Sequence, residues 1–126
     1  MLPADFYHLP EYTSIVTITT LGMQGEHIKT LWNIYLFITE DDRLLIPFED
    51  YSNTENDIKF NTHVKIAIRN SEVENRNNKN YPGIGFLLSG EAKFVDFGTE
   101  FDMIKTKYPR AYSAMEVTIH KCKQML

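Results

Sequence analysis

The residues best suited to chemistry lie between His27 and Glu55. Ser52-Asn53-Thr54-Glu55 has the Ser-x-x-Glu form of a capping box and opens a helix expected to reach about Asn61. A helix N-terminus presents free backbone N–H groups and a partial positive charge, so this stretch can hold a phosphate. Ser52 can equally be an ordinary cap on a surface helix. Trp32 and Tyr35, upstream, read as core aromatics or as ligand contacts. Together the His27–Phe48 hairpin and the capped helix form the part of the chain that could take a phosphorylated, planar ligand. Other chemistry is missing. His8, His27, His63 and His120 have no paired ligand spacing with one another or with Cys122, so no metal site is expected. No nucleophile elbow, Walker A loop or dinucleotide fingerprint occurs, and Gly83-Ile84-Gly85 lacks the rest of such a pattern. Any reaction must therefore come mainly from a cofactor.

These residues need a scaffold. His27 to Phe48 reads as one long strand, an acidic turn at Glu40-Asp41-Asp42, and a returning strand from Arg43 that Pro47 stops. One register of the long strand carries Ile28, Thr30, Trp32, Ile34, Leu36 and Ile38; the other carries Lys29, Leu31, Asn33, Tyr35 and Phe37. Such period-2 alternation in β-branched and aromatic residues argues for a strand. Both registers are largely apolar, so a barrel core is expected on one face and another covering on the second.

The remaining elements follow in order. Pro3 to Leu9 can form one or two helical turns ended by Pro10, with Phe6 and Leu9 capping the core. Ser14 to Leu21 is a strand, and Val64 to Arg69 is another, half buried. Asn70 to Asn80 reads as an exposed polar loop. Ile84 to Phe97 is a long strand that Gly90 bends. A helix over about Glu100 to Lys107 turns Phe101 and Ile104 inward, and Pro109 ends it. Ala114 to His120 is the last strand, with Lys121 to Leu126 as a tail. The expected fold is mainly β: a six-stranded antiparallel split β-barrel with two or three short helices, forming one domain over residues 1–126.

Composition narrows the function classes. A chain of 126 residues with 43% hydrophobic residues can bury a sizeable core. The net charge of −4 argues against a general nucleic-acid binder, and an OB-type barrel for single strands would need a basic track. A single cysteine cannot form an internal disulfide, and no apolar run reaches membrane-spanning length. The first ten residues lack the pattern of a secretory signal. A cytoplasmic location is expected, with no membrane and no nucleic acid among the partners.

One ordered set of residues runs through nearly the whole chain. It comprises Met1-Leu2-Pro3, His27, Trp32-Asn33, Tyr35-Leu36, Pro47, Thr54-Glu55, Arg76-Asn77, Pro82-Gly83, Gly85-Phe86-Leu87, Gly90, Arg110-Ala111 and Gln124-Met125-Leu126. In order and spacing this set resembles the small bacterial FMN-binding proteins of the pyridoxamine 5′-phosphate oxidase-like split-barrel superfamily. The resemblance implies a homodimer with one FMN per subunit at the interface. It implies that the isoalloxazine lies along Thr30, Leu31, Trp32 and Asn33, near Tyr35 and Pro47. The phosphate is implied at Tyr51, Ser52, Asn53, Thr54 and Glu55, with Tyr108 and a C-terminal Leu126 from the other subunit also at the cofactor.

The implied activity is electron transfer or flavin-dependent oxidoreduction of a small molecule or redox partner. This chain departs from the pattern at Asn53, where family members commonly carry lysine or arginine, and Glu49 and Asp50 add negative charge nearby. Losing a charged phosphate contact lowers affinity by about tenfold or more. The alternative is a non-catalytic split-barrel module with weak or lost FMN affinity. The basic substrate-binding set of true pyridoxamine 5′-phosphate oxidases is also missing, so that reaction is not expected.

Overall fold

Alternation of apolar and polar residues dictates the sheet. In the computed structural model, which describes residues 2–11, 13–49, 53–72 and 83–125, seven strands form one antiparallel sheet. They are β1 (Ile15–Gly22), β2 (Gly25–Trp32), β3 (Phe37–Ile38), β4 (Leu44–Phe48), β5 (His63–Asn70), β6 (Ile84–Val95) and β7 (Ser113–Gln124). β1 turns Val16, Ile18 and Thr20 inward, and β5 turns Val64, Ile66 and Ile68 inward. The spatial order is β2-β1-β5-β6-β7-β4-β3. The two edge strands, β2 and β3, are separated in sequence only by the 3-10 turn Asn33–Tyr35 and Leu36. A sheet whose opposite edges are tied by four residues has to curl, and β2 and β3 do not pair with each other. The result is a half-barrel open along that seam.

Asn33 is why there are seven strands where the alternation predicts six. Its side chain is buried, and Oδ1 accepts the Ser14 N–H at 2.9 Å while its own N–H donates to the Ser14 carbonyl at 3.0 Å. Leu36 N–H then donates to the Asn33 carbonyl at 3.0 Å, closing a 3-10 turn that breaks the expected long strand. The covering of that strand also differs. Leu31 packs on the core, but within this chain Ile28 is 67% and Trp32 51% exposed.

Pro47 does not stop β4, because it pairs with Ala114 inside it. Phe48 accepts the Tyr112 N–H, so Phe48 faces β7 and Pro47 faces the other side, where β3 has already ended. A missing N–H costs nothing there. β7 runs past His120 to Gln124, with Cys122 opposite Leu88 and Gln124 opposite Phe86. That extension is hidden in sequence because Lys121 and Lys123 dilute the alternation. Asn70 closes β5 and is buried, its amide donating to Thr13 O and Ser14 Oγ; most of the expected polar loop lies outside the described residues.

Most other expectations hold, but Pro10 does not end the first helical segment, which runs through it to Glu11. Ala4–Glu11 is a 3-10 segment, and Phe6 seals one end of the core with its ring 5.5 Å from that of Phe86. The acidic turn is present, with Asp42 at φ 61° and a Thr39–Arg43 hydrogen bond closing it. Helix α1 spans Asn53–Phe60, and helix α2 spans Thr99–Lys107 with Phe101 and Ile104 buried. The register shift between Ser89 and Gly90 is the expected bend in β6. A Cβ at Gly90 would run into the Thr118 carbonyl oxygen of the neighbouring strand. Gly90→Ala is accordingly expected to cost about 1–3 kcal/mol, read as a lowered thermal midpoint. An unshifted midpoint would show that β7 moves aside freely.

Candidate functional site

Where the two sheet edges come together, the chain leaves a cavity of about 560 Å³. β2 contributes Lys29, Thr30, Leu31 and Trp32; the 3-10 turn contributes Tyr35; β4 and its exit contribute Ile46, Pro47, Phe48 and Glu49. Tyr108 and Ala111, which follow α2, close one side, and Ile15 of β1 completes the lining. Apolar and aromatic walls with a few polar groups, at this volume, suit a drug-sized or cofactor-sized ligand.

Tyr108 is held by several independent contacts. Its N–H donates to Ile104 O at 2.7 Å, capping α2, and its hydroxyl donates to Ile34 O at 2.8 Å. Its ring packs 5.2 Å from Tyr35 and 5.8 Å from Phe37. Burial, and then the neighbouring Tyr35, push the Tyr108 phenol above its ordinary pKa, so it stays a proton donor. Leu45, Ile104 and Ala111 form a small second core beneath it, which is how α2 fixes the aromatic wall. Arg43 strengthens this side, reaching both Glu100 oxygens of α2 at 2.9 and 2.8 Å and Asp41 at 2.9 Å.

The opposite side is tied by a buried carboxylate. Asp57 of α1 is 4% exposed and accepts the Thr20 hydroxyl at 2.7 Å, while His27 Nδ1 meets the same oxygen at 2.6 Å. Gly22 leaves room for it, since a Cβ there would collide with the Asp57 carboxylate. Two residues earlier, Glu55 Oε1 accepts from Ser113 Oγ at 3.1 Å. These contacts pin α1 to β1, β2 and β7.

Of the thirteen residues chosen from sequence, Thr30, Leu31, Trp32, Tyr35, Pro47 and Tyr108 line the cavity together. Asn33 is turned inward to Ser14 and shapes the turn instead of the wall. Thr54 and Glu55 are buried against the sheet, and Asn53 is exposed at the start of α1. Tyr51, Ser52 and Leu126 lie outside the described residues. Sequence reasoning missed Ile15, Lys29, Ile46, Phe48, Glu49 and Ala111. Lys29 carried a usable signal: it shares the inward register with Leu31, and a lysine on that face needs a reason.

Among the described residues, no cluster of His, Cys, Asp and Glu is arranged to hold a metal. Burial raises the Cys122 pKa, which keeps it a thiol near neutral pH. No helix there is long and apolar enough to cross a membrane.

No family model matches the chain. A curated protein of Nitratidesulfovibrio vulgaris (strain DSM 19637 / Miyazaki F), named FMN-binding protein, is 31% identical over 126 residues, covering all of both chains. Among solved structures, HupZ of Group A Streptococcus is similar with a TM-score of 0.74 over 99% of this chain and 94% of that one, at 12% identity. An FMN-binding protein from Syntrophomonas wolfei gives 0.65 over 88% and 76%, at 16% identity. A putative pyridoxamine 5′-phosphate oxidase from Listeria innocua gives 0.66 over 96% and 94%, at 10%. At such identities these structures speak for the shared fold alone.

Proposed function

The chain belongs to the FMN-binding proteins of the pyridoxamine 5′-phosphate oxidase-like split-barrel superfamily, and from that premise we propose a homodimeric redox flavoprotein with FMN in the cavity beside Trp32. The observation that carries this reading is the convergence of Thr30, Leu31, Trp32, Tyr35, Pro47 and Tyr108 on one cavity of about 560 Å³. FMN is the cofactor, and when bound it supplies the exchange of electrons with a small molecule or a redox partner. The residues present fit it: the walls are apolar and aromatic for a planar ring system, and Lys29 is the cation among them.

Each residue has a task in this reading. Trp32, Tyr35 and Tyr108 flank the ring system, and Leu31, Ile46 and Phe48 exclude water from it. The backbone of Thr30 to Trp32 lies along an open sheet edge, where its polar groups are available to the ring heteroatoms. The phosphate end lies toward Glu49 and the start of α1, with Tyr51 to Glu55 and the Leu126 of a second subunit as its proposed contacts.

Ile15, Ile28 and Trp32 support the dimer. Ile15 faces Trp32 across β1 and β2, and all three are exposed in the single chain. An open apolar sheet face of this kind is a usual site of subunit contact. The second reading, a barrel with weak or lost FMN affinity, is favoured by Glu49 on the cavity wall and by Asn53. One experiment separates the two. An FMN titration followed by absorbance should give one flavin per chain, and sedimentation should give a dimer at micromolar protein. Failure to take up FMN selects the second reading, and a monomer with FMN bound removes the interface.

A further inference from the structure

We propose that Lys29 supplies the positive charge that binds the FMN phosphate, in place of the basic residue missing at Asn53. The assignment rests on the flavin reading above. Lys29 stands across from the buried Ile18 of β1, is itself exposed in the single chain, and lines the cavity beside Phe48 and Glu49. Its ammonium lies 4.8 Å from the centroid of the Phe48 ring, and among the described residues no carboxylate comes within ion-pair distance of it. A lysine held against a ring face without a carboxylate partner keeps its charge available for an anion.

Its position along the cavity identifies the anion. From Lys29 to Trp32 is about 10 Å at the usual rise of a strand, a span that a five-carbon ribityl chain can bridge. Tyr35 and Tyr108 stand together at the Trp32 end, which suits the ring system. Lys29 marks the other end. Two residues before it on the same face, His27 reaches Asp57, so this part of β2 runs beside α1. On its other flank is Phe48, whose neighbour across the sheet, Ser113, is bonded to Glu55 in the first turn of α1. Lys29 therefore sits between the start of α1 and the β4 exit. Glu49 on the same wall repels a dianion, which increases the need for a cation there.

The test is a titration of FMN and riboflavin into the full chain, at low and high salt. Lys29→Gln is expected to raise the FMN Kd by about five- to tenfold and to leave riboflavin unchanged. The difference should shrink at high salt, because it is a charge effect. Lys29→Met keeps the apolar stem over Phe48 and should match Lys29→Gln, with thermal melts verifying both folds. Asn53→Lys in the Lys29→Gln background should recover FMN affinity. Equal weakening of FMN and riboflavin, or no change in FMN, overturns the assignment while leaving the flavin site standing. A wild type that takes up neither flavin overturns the flavin reading, and this assignment with it.

Discussion

FMN bound to this chain is expected to be almost non-fluorescent, and Trp32→Phe to return much of its emission. Trp32 ends β2 on the cavity wall and is 51% exposed in the single chain, so it does not belong to the barrel core. An electron-rich indole in contact with the isoalloxazine donates an electron to the excited ring faster than the ring can emit. Phenylalanine keeps most of the apolar volume but is a much poorer donor. Tyr35 and Tyr108 remain on the wall, so some quenching persists. A half-exposed site also predicts a small stability change, within about 1 kcal/mol. A fluorescence titration run beside a thermal melt checks both parts. Unchanged quenching in Trp32→Phe would mean that the ring lies elsewhere.

Asp57→Ala should produce the largest loss of stability. The carboxylate is 4% exposed and serves Thr20, itself 2% exposed, as well as His27. Its removal leaves a buried hydroxyl without its acceptor and a void against Gly22. Thr20 cannot turn to water, whereas His27 is partly exposed and can. Together these effects are worth about 2–4 kcal/mol. For a chain of this size that corresponds to a fall in melting temperature of about 8–15 °C. Asp57→Asn keeps the shape and one carbonyl acceptor, so it should lose clearly less. Equal losses in the two variants would assign the effect to the carboxylate's charge and not to the lost volume.

The fold was legible wherever a strand has one buried face. Val16, Ile18, Val64, Ile66 and Ile68 announce themselves because every second residue has to enter the core. Gly90 marked the bend because only a residue without a side chain lets β7 approach so closely. Reading failed where a polar residue does structural work. Asn33 looks like one more member of an alternating run, yet its buried amide ends β2 and adds a strand to the count. Pro47 looks like a stop, but the side of β4 it faces has no neighbour, and that depends on where β3 ends. The aromatic part of the candidate site was legible through resemblance. Phe48 and Ala111 were not, because they reach the cavity wall only when β4 and the turn after α2 converge on β2.

The strand order bears on how the chain is made. β7 lies between β6 and β4, and it is the last strand in sequence. Leu44, Leu45 and Ile46 of β4 leave the ribosome well before their partners Val117, Glu116 and Met115, which follow only after β5, β6 and α2. During synthesis the β1–β2 hairpin can pair at once, and β5 and β6 can add to it. Strand β4, one of the most apolar in the sheet, meanwhile has only the short β3 to pair with. Closure across such a sequence separation is slow, and an unpaired hydrophobic strand is prone to association in the interval. The nascent protein thus carries its most adhesive segment uncovered until β7 has been made, and slow elongation over residues 50–110 would prolong that exposure.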